Sequence, residues 1–208
     1  MNCGLQDAFN LAWKLALVHQ GAAHENLLDS YEIERRPAAE LVMKSGDNME
    51  DTLTMTGPTE RKARDQAILF FGEANSSFPA GYRLPDNIPV RPPHAAPSNL
   101  HALGHHAGST LMLLGGPTAD PSTLLSLHAA MQKHVGDSPL FETAVALTAG
   151  AHVPDSIGHL EPAAAAQLGI EGNTLLAIRP DGYVGLRADR DHLAALDRYA
   201  AFLQTGLR

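Results

Sequence analysis

The sequence predicts an α/β protein: an N-terminal helical segment followed by a domain built on a mixed sheet. Three observations carry this. From Leu5 to about Gly72, apolar residues recur at helical spacing. Residues 75–98 are rich in Pro, Gly, Ser and Asn and read as a linker. From Asn99 onward, short apolar runs alternate with helical stretches. The expected organisation is therefore a helical segment at 1–74, a linker at 75–98 and a sheet domain at 99–208.

In the first helix Leu5, Ala8, Ala12, Leu15 and Ala16 share one face, and Gln6, Asn10 and Lys14 lie to the other side. Gly4 permits a tight turn with the helix starting just after it, and Gly21 stops the helix. A second helix starts around His24 and carries Leu27, Leu28 and Tyr31. Glu32 and Arg36 stand four apart in the favourable order, a pair worth roughly 0.2–0.5 kcal/mol when exposed. Pro37 is expected to end or kink that helix, with the pattern resuming through Ala38–Met49. A third helix is expected near Thr59–Phe71.

In the C-terminal part Ser109–Leu114 reads as a strand, broken by Gly115, Gly116 and Pro117. Pro121–His134 is a helix, Thr143–Thr148 a buried strand and Pro162–Leu168 a short Ala-rich helix. Thr174–Ile178 and Tyr183–Leu186 form a hairpin whose turn holds Asp181 and Gly182. Arg190–Leu203 closes the domain, with Leu193, Leu196, Tyr199, Ala200 and Leu203 at helical spacing. This order resembles thioredoxin, as does the stretch LGIEGNTLLAIRPDG at Leu168–Gly182, so the fold implied for 99–208 is thioredoxin-like.

Three segments carry a second resemblance. The first is NCGLQDAFNLAWKL, with Asn2, Gly4, Asp7, Ala8, Asn10, Leu11, Ala12, Trp13, Lys14 and Leu15. The second is LLDSYEIERRP, with Tyr31, Glu34, Arg35, Arg36 and Pro37. The third is RPDGYVGLR, Arg179–Arg187. Together they resemble the C-terminal part of the FAD-dependent aromatic hydroxylases, the flavin monooxygenases of the phenol and para-hydroxybenzoate hydroxylase type. The resemblance implies that backbone amides at Asn2 and Cys3, beside Gly4, face the pyrimidine edge of an FAD ring. It also implies NAD(P)H as reductant, an aromatic substrate and an accessory thioredoxin-like domain at the C-terminus. An ordinary capped helix start is the plainer reading of the same residues. No G-x-G-x-x-G pyrophosphate loop occurs. The expectation is one wall of a flavin site without a complete active site, and no flavin retained by the chain alone.

Other chemistries fit poorly. Dithiol exchange needs two thiols at a helix start, and the corresponding LLGGPTADPS has none. Asn173 stands where the thioredoxin cis-proline would precede the hairpin strand. Cys3 is the single cysteine, which excludes an internal disulfide. His101, His105 and His106, in HALGHH, lack the intervening Glu of a metalloprotease helix, and Gly104 and Gly108 favour a polar loop. His152 and His159 fall in a loop broken by Pro and Gly, and Asp155 and Asp181 read as turn residues. No metal site is expected.

A net charge of −8 argues against nucleic acid and anionic membranes as partners. No apolar run reaches membrane-spanning length, and a cytoplasmic location is expected. The first helix would need a partner for its apolar face. Packing within the chain, a homodimer and the FAD-binding half of the enzyme are the candidates. The alternative function is a standalone, redox-inactive thioredoxin-like interaction or dimerisation module.

Overall fold

The computed structural model describes residues 2–46, 71–72, 78, 80–104, 106–150 and 155–205. The chain divides into two units, Met1–Leu69 with Leu203–Arg208, and Phe70–Phe202. The third helix expected near Thr59–Phe71 lies almost wholly outside the described residues, as do His105 and His152.

In the first unit α1 spans Asn2–His19. Gly21, at φ +68°, ends it: its N–H donates to Val18 O and the Ala22 N–H to Leu17 O. Such a left-handed residue satisfies carbonyls that the helix end leaves open. A 3₁₀ turn, Glu25–Leu28, follows, capped by His24 Nδ1 accepting from Asn26 N. Helix α2 spans Asp29–Gly46. Pro37 lies inside it, so of the expected end or kink the end does not occur there.

The rotation of α1 differs from the sequence reading. Leu5, Ala8, Ala12, Leu15 and Ala16, the expected apolar face, are all exposed. Asn10, Trp13, Lys14 and Leu17 are buried instead. Their spacing is equally helical. The polar members go inside because an acid on α2 meets them.

The second unit carries an eight-stranded mixed sheet among the described residues. Its strands are β1 (Phe71–Gly72), β2 (Pro89–Arg91), β3 (Ser98–Asn99), β4 (Ser109–Gly115), β5 (Phe141–Thr148), β6 (Gly158–Leu160), β7 (Asn173–Ile178) and β8 (Val184–Ala188). The spatial order is β1-β8-β7-β4-β5-β6-β2-β3. Its helices are α3 (Leu100–Leu103), α4 (Pro121–Asp137), α5 (Pro162–Gln167) and α6 (His192–Thr205), the last extending into the residues of the first unit.

Strand β4 is buried along its whole length. It pairs parallel to β5 and antiparallel to β7, and β7 pairs antiparallel to β8. Strand, helix, strand, helix, hairpin and helix thus follow in the expected order, with the additional strand β6 between β5 and α5. Gly182 takes φ +82° in the hairpin turn, and Asp181 Oδ1 accepts from Arg179 Nε at 3.0 Å.

Much of the expected linker belongs to this unit. Leu84, Ile88 and Val90 are buried in one core with Met112, Leu114 and Leu176. Strand β2 pairs with both β3 and β6. The prolines and glycines of this stretch mark turns between short buried pieces rather than an open tether. His159, expected in a loop, stands in β6.

Candidate functional site

The site begins at the start of α1. Asn2, Cys3 and Gly4 all belong to its first turn. The expected tight turn at Gly4 is absent: its φ lies outside the left-handed range. A Cβ placed at Gly4 would meet nothing within 4 Å. The first four N–H groups of an α-helix have no acceptor within it, and the helix dipole adds partial positive charge there. This turn therefore carries amide donors without an acceptor inside the helix.

Further along, α1 is fastened to α2 by polar groups. Asn10 Nδ2 donates to Glu34 Oε2 at 2.7 Å. Lys14 Nζ donates to Asn10 Oδ1 at 2.9 Å and to Glu34 Oε1 at 3.2 Å. Lys14 is fully buried, and Glu34 and Asn10 nearly so. The Lys14 ammonium also lies 5.7 Å from the ring centroid of Trp13. One turn nearer the start of α1, Arg35 Nε donates to Asp7 Oδ1. Arg36 pairs with Glu32 on the exposed side.

The first and second sequence segments thus meet through Asp7 with Arg35 and through Asn10 and Lys14 with Glu34. The buried Asn10–Lys14–Glu34 network was missed in the sequence, where Asn10 and Lys14 were placed only on the side away from the expected apolar face. The available signal was their spacing of four beside Trp13 and Leu17.

The third segment does structural work in the second unit. Arg179 forms a buried ion pair with Asp181. Arg187 is 1% exposed and donates to Phe78 O at 2.8 Å, Leu168 O at 2.8 Å and Gly169 O at 2.9 Å. It also pairs with Asp189 at 3.0 Å.

Among the described residues no group of three His, Cys, Asp or Glu could hold a metal ion. His101 lies 3.4 Å from Asp86, His106 3.8 Å from Glu142 and His159 3.6 Å from Glu161, as separate pairs. In the loop after β4, Gly116 N donates to Gly172 O and Thr118 N to Glu171 O.

Residues 1–45 match the FAD binding domain family. That stretch contains α1 and nearly all of α2. The 12-dehydrotetracycline 5-monooxygenase/anhydrotetracycline 6-monooxygenase of Streptomyces rimosus is 31% identical over 186 residues. That alignment covers 88% of this chain and 35% of the relative. The chain is a relative of the FAD-dependent aromatic hydroxylases.

Pentachlorophenol 4-monooxygenase of Sphingobium chlorophenolicum is 36% identical over 110 residues, covering 41% of this chain and 20% of that enzyme. Among solved structures, a complex of aklavinone-11 hydroxylase with FAD and aklavinone aligns at TM-score 0.60 and 27% identity. It covers 96% of this chain and 39% of that one. The chain spans about a third or less of the length of these curated relatives. Among the described residues no helix is long and apolar enough to cross a membrane.

Proposed function

We propose that this chain is the C-terminal part of a flavin-dependent monooxygenase that hydroxylates an aromatic substrate. The observation that carries the reading is the meeting of the first two segments. Asp7 with Arg35, and Asn10 and Lys14 with Glu34, hold together the stretch related to FAD binding domains. The chain's share of its relatives' length supports a part rather than a whole.

FAD fits the first turn of α1. Its amides are donors without an intrahelical acceptor, and nothing crowds Gly4. Asn2, Cys3 and Gly4 would hold the pyrimidine edge of the ring. When bound, FAD supplies the electron transfer to oxygen by which such an enzyme oxygenates its substrate, with NAD(P)H as the reductant. The residues of this chain bind and orient the ring. The second unit is a thioredoxin-like accessory domain without dithiol chemistry, and the setting is cytoplasmic.

The test is reconstitution. This chain alone should purify without flavin. Joined to the FAD-binding half, it should take up one FAD and oxidise NAD(P)H in response to a phenolic or polycyclic aromatic substrate. A completed enzyme that binds no FAD would falsify the reading.

The bare face of α1 favours a second reading, a redox-inactive thioredoxin-like interaction module. Leu5 is 58% exposed and Phe9 56%. An in-frame stretch encoding G-x-G-x-x-G upstream of Met1 supports the first reading, and a stop codon directly upstream supports the second.

A further inference from the structure

We propose that Asn10, Lys14 and Glu34 are positioning residues for the flavin ring. By fixing one rotation and one register of α1 against α2, they set where the amides of Asn2–Gly4 stand. The proposal rests on the flavin-facing reading of α1 and adds to it the residues that act through that turn.

The argument starts from geometry. Asp7, Asn10 and Lys14 stand three and four residues apart, on one stripe of α1. Each is bonded to α2, at Arg35 or Glu34. Asn10 is joined to both charged groups, so the three side chains close a ring of hydrogen bonds. At about 1.5 Å per residue, Asp7 lies about 4.5 Å along the axis from Gly4, and Asn10 about 9 Å. Lys14 lies about 15 Å away, so the clasp begins within two turns of Gly4 and ends about three turns from it.

Apolar burial alone cannot do this. Trp13 and Leu17 bury α1 on the same side, but the hydrophobic effect is non-directional and tolerates small slides and rotations. A carboxylate bonded to two donors on one helix does not. Donors aimed at a ligand must hold position to about 0.5 Å to keep their effect. A buried ion pair is in itself a weak source of stability, and apolar groups of similar volume often replace it without loss. Its presence here, in the helix whose first turn meets the cofactor, points to placement rather than stability.

The consequence is electrostatic. Amides aimed at the pyrimidine edge favour the reduced, more negatively charged flavin over the oxidised one. Loosening the clasp weakens that preference before it unfolds anything.

The experiment is a spectroelectrochemical titration of FAD in the completed, flavin-loaded enzyme. Wild type is compared with Glu34→Gln, with the apolar triple variant Asn10→Leu/Lys14→Met/Glu34→Leu and with Arg36→Ala on the exposed side. Glu34→Gln and the triple variant should each lose about tenfold in preference for the reduced form, about 30 mV for a two-electron couple. Each should also bind FAD several-fold more weakly. The triple variant should melt no lower than Glu34→Gln while keeping the shifted potential, which a purely structural role does not explain. Arg36→Ala should match wild type. Wild-type potential and FAD affinity in the folded triple variant overturn the proposal. If the triple variant does not fold, the nearly isosteric Glu34→Gln decides alone. A wild-type enzyme that takes up no flavin sinks the flavin reading itself and is distinct, since no potential can then be measured.

Discussion

Lys14 donates to Glu34 across 3.2 Å at a place where solvent reaches neither side chain appreciably. Two residues 20 apart in sequence thereby join the two helices that carry the family resemblance. Removing one partner leaves a buried charge, which commonly costs about 3–5 kcal/mol. Glu34→Ala should therefore destabilise the first unit by about that amount. The chain's single tryptophan, Trp13, sits in α1 and reports the event. Urea unfolding followed by tryptophan fluorescence measures it, and a midpoint equal to wild type would contradict the assignment.

A second buried cation holds the other unit. Arg187 satisfies three backbone carbonyls and Asp189 at once. A buried carbonyl left without a donor costs about 1–3 kcal/mol. Arg187→Met should cost at least about 3 kcal/mol. Arg187→Lys should recover only part of this, because a point charge cannot reproduce the guanidinium fork. Thermal unfolding of the three proteins would show it, and equal stability of the Met and Lys variants would count against the fork.

Asp120 caps α4, accepting from Thr123 N at 2.8 Å and Thr123 Oγ1 at 2.7 Å, and from Ser122 Oγ. The Ser122 and Thr123 hydroxyls, helped by the Thr123 N–H, lower its pKa from 3.8 to about 2. A depressed carboxylate contributes stability that is fully present above the unfolded pKa and is lost as pH falls through the folded one. The cap should weaken only between about pH 4 and pH 2, leaving neutral-pH stability unaffected. The Asp120 carboxyl carbon shift, followed by NMR, should turn over near pH 2. A midpoint at pH 3.8 would show that the cap bonds are not held in solution.

The parts of this molecule that were legible in the sequence are those fixed by local chemistry. The β7–β8 hairpin follows from Asp181 and Gly182, because that turn needs a residue at positive φ and Gly182 takes it. Strand β4 follows from an unbroken apolar run. The rotation of α1 was not legible, because periodicity marks two stripes and only the acid on α2 decides which goes inside. Nor were β2 and β3, since Ile88 and Val90 sit singly among prolines and the pairing of β2 with β6 depends on residues about 70 positions away, Val90 against Leu160.

Gly116 packs the loop after β4 tightly against the backbone of Glu171. A Cβ there would stand 2.2 Å from Glu171 O, against backbone that cannot turn aside. Gly116→Ala should therefore displace the Gly116–Asp120 loop and destabilise the second unit by about 1–3 kcal/mol, as overpacking does. Insulin reduction with dithiothreitol should run no faster with the wild-type chain than without it. Acceleration would reveal a thiol chemistry for which the loop has no sulfur.

The last expectation concerns the bare face of α1. Leu5 is 58% exposed, Phe9 56% and Leu15 47%, and Ile33 on α2 is 47% exposed. Exposed apolar area favours burial at roughly 25 cal/mol per Å² before the entropic cost of association. In the completed enzyme the FAD-binding half is the proposed cover. In the isolated chain a second copy is the nearest substitute, and closed twofold pairs are the commonest result. The isolated chain should sediment as a dimer, and Phe9→Glu/Leu15→Glu should return it to a monomer. A shortened chain beginning at Phe70, the first residue of the second unit, should be monomeric. If this shortened chain dimerises, the interface belongs to the sheet unit. If the intact chain is monomeric at high concentration, the α1 face is not self-complementary, and its partner must be sought in the FAD-binding half.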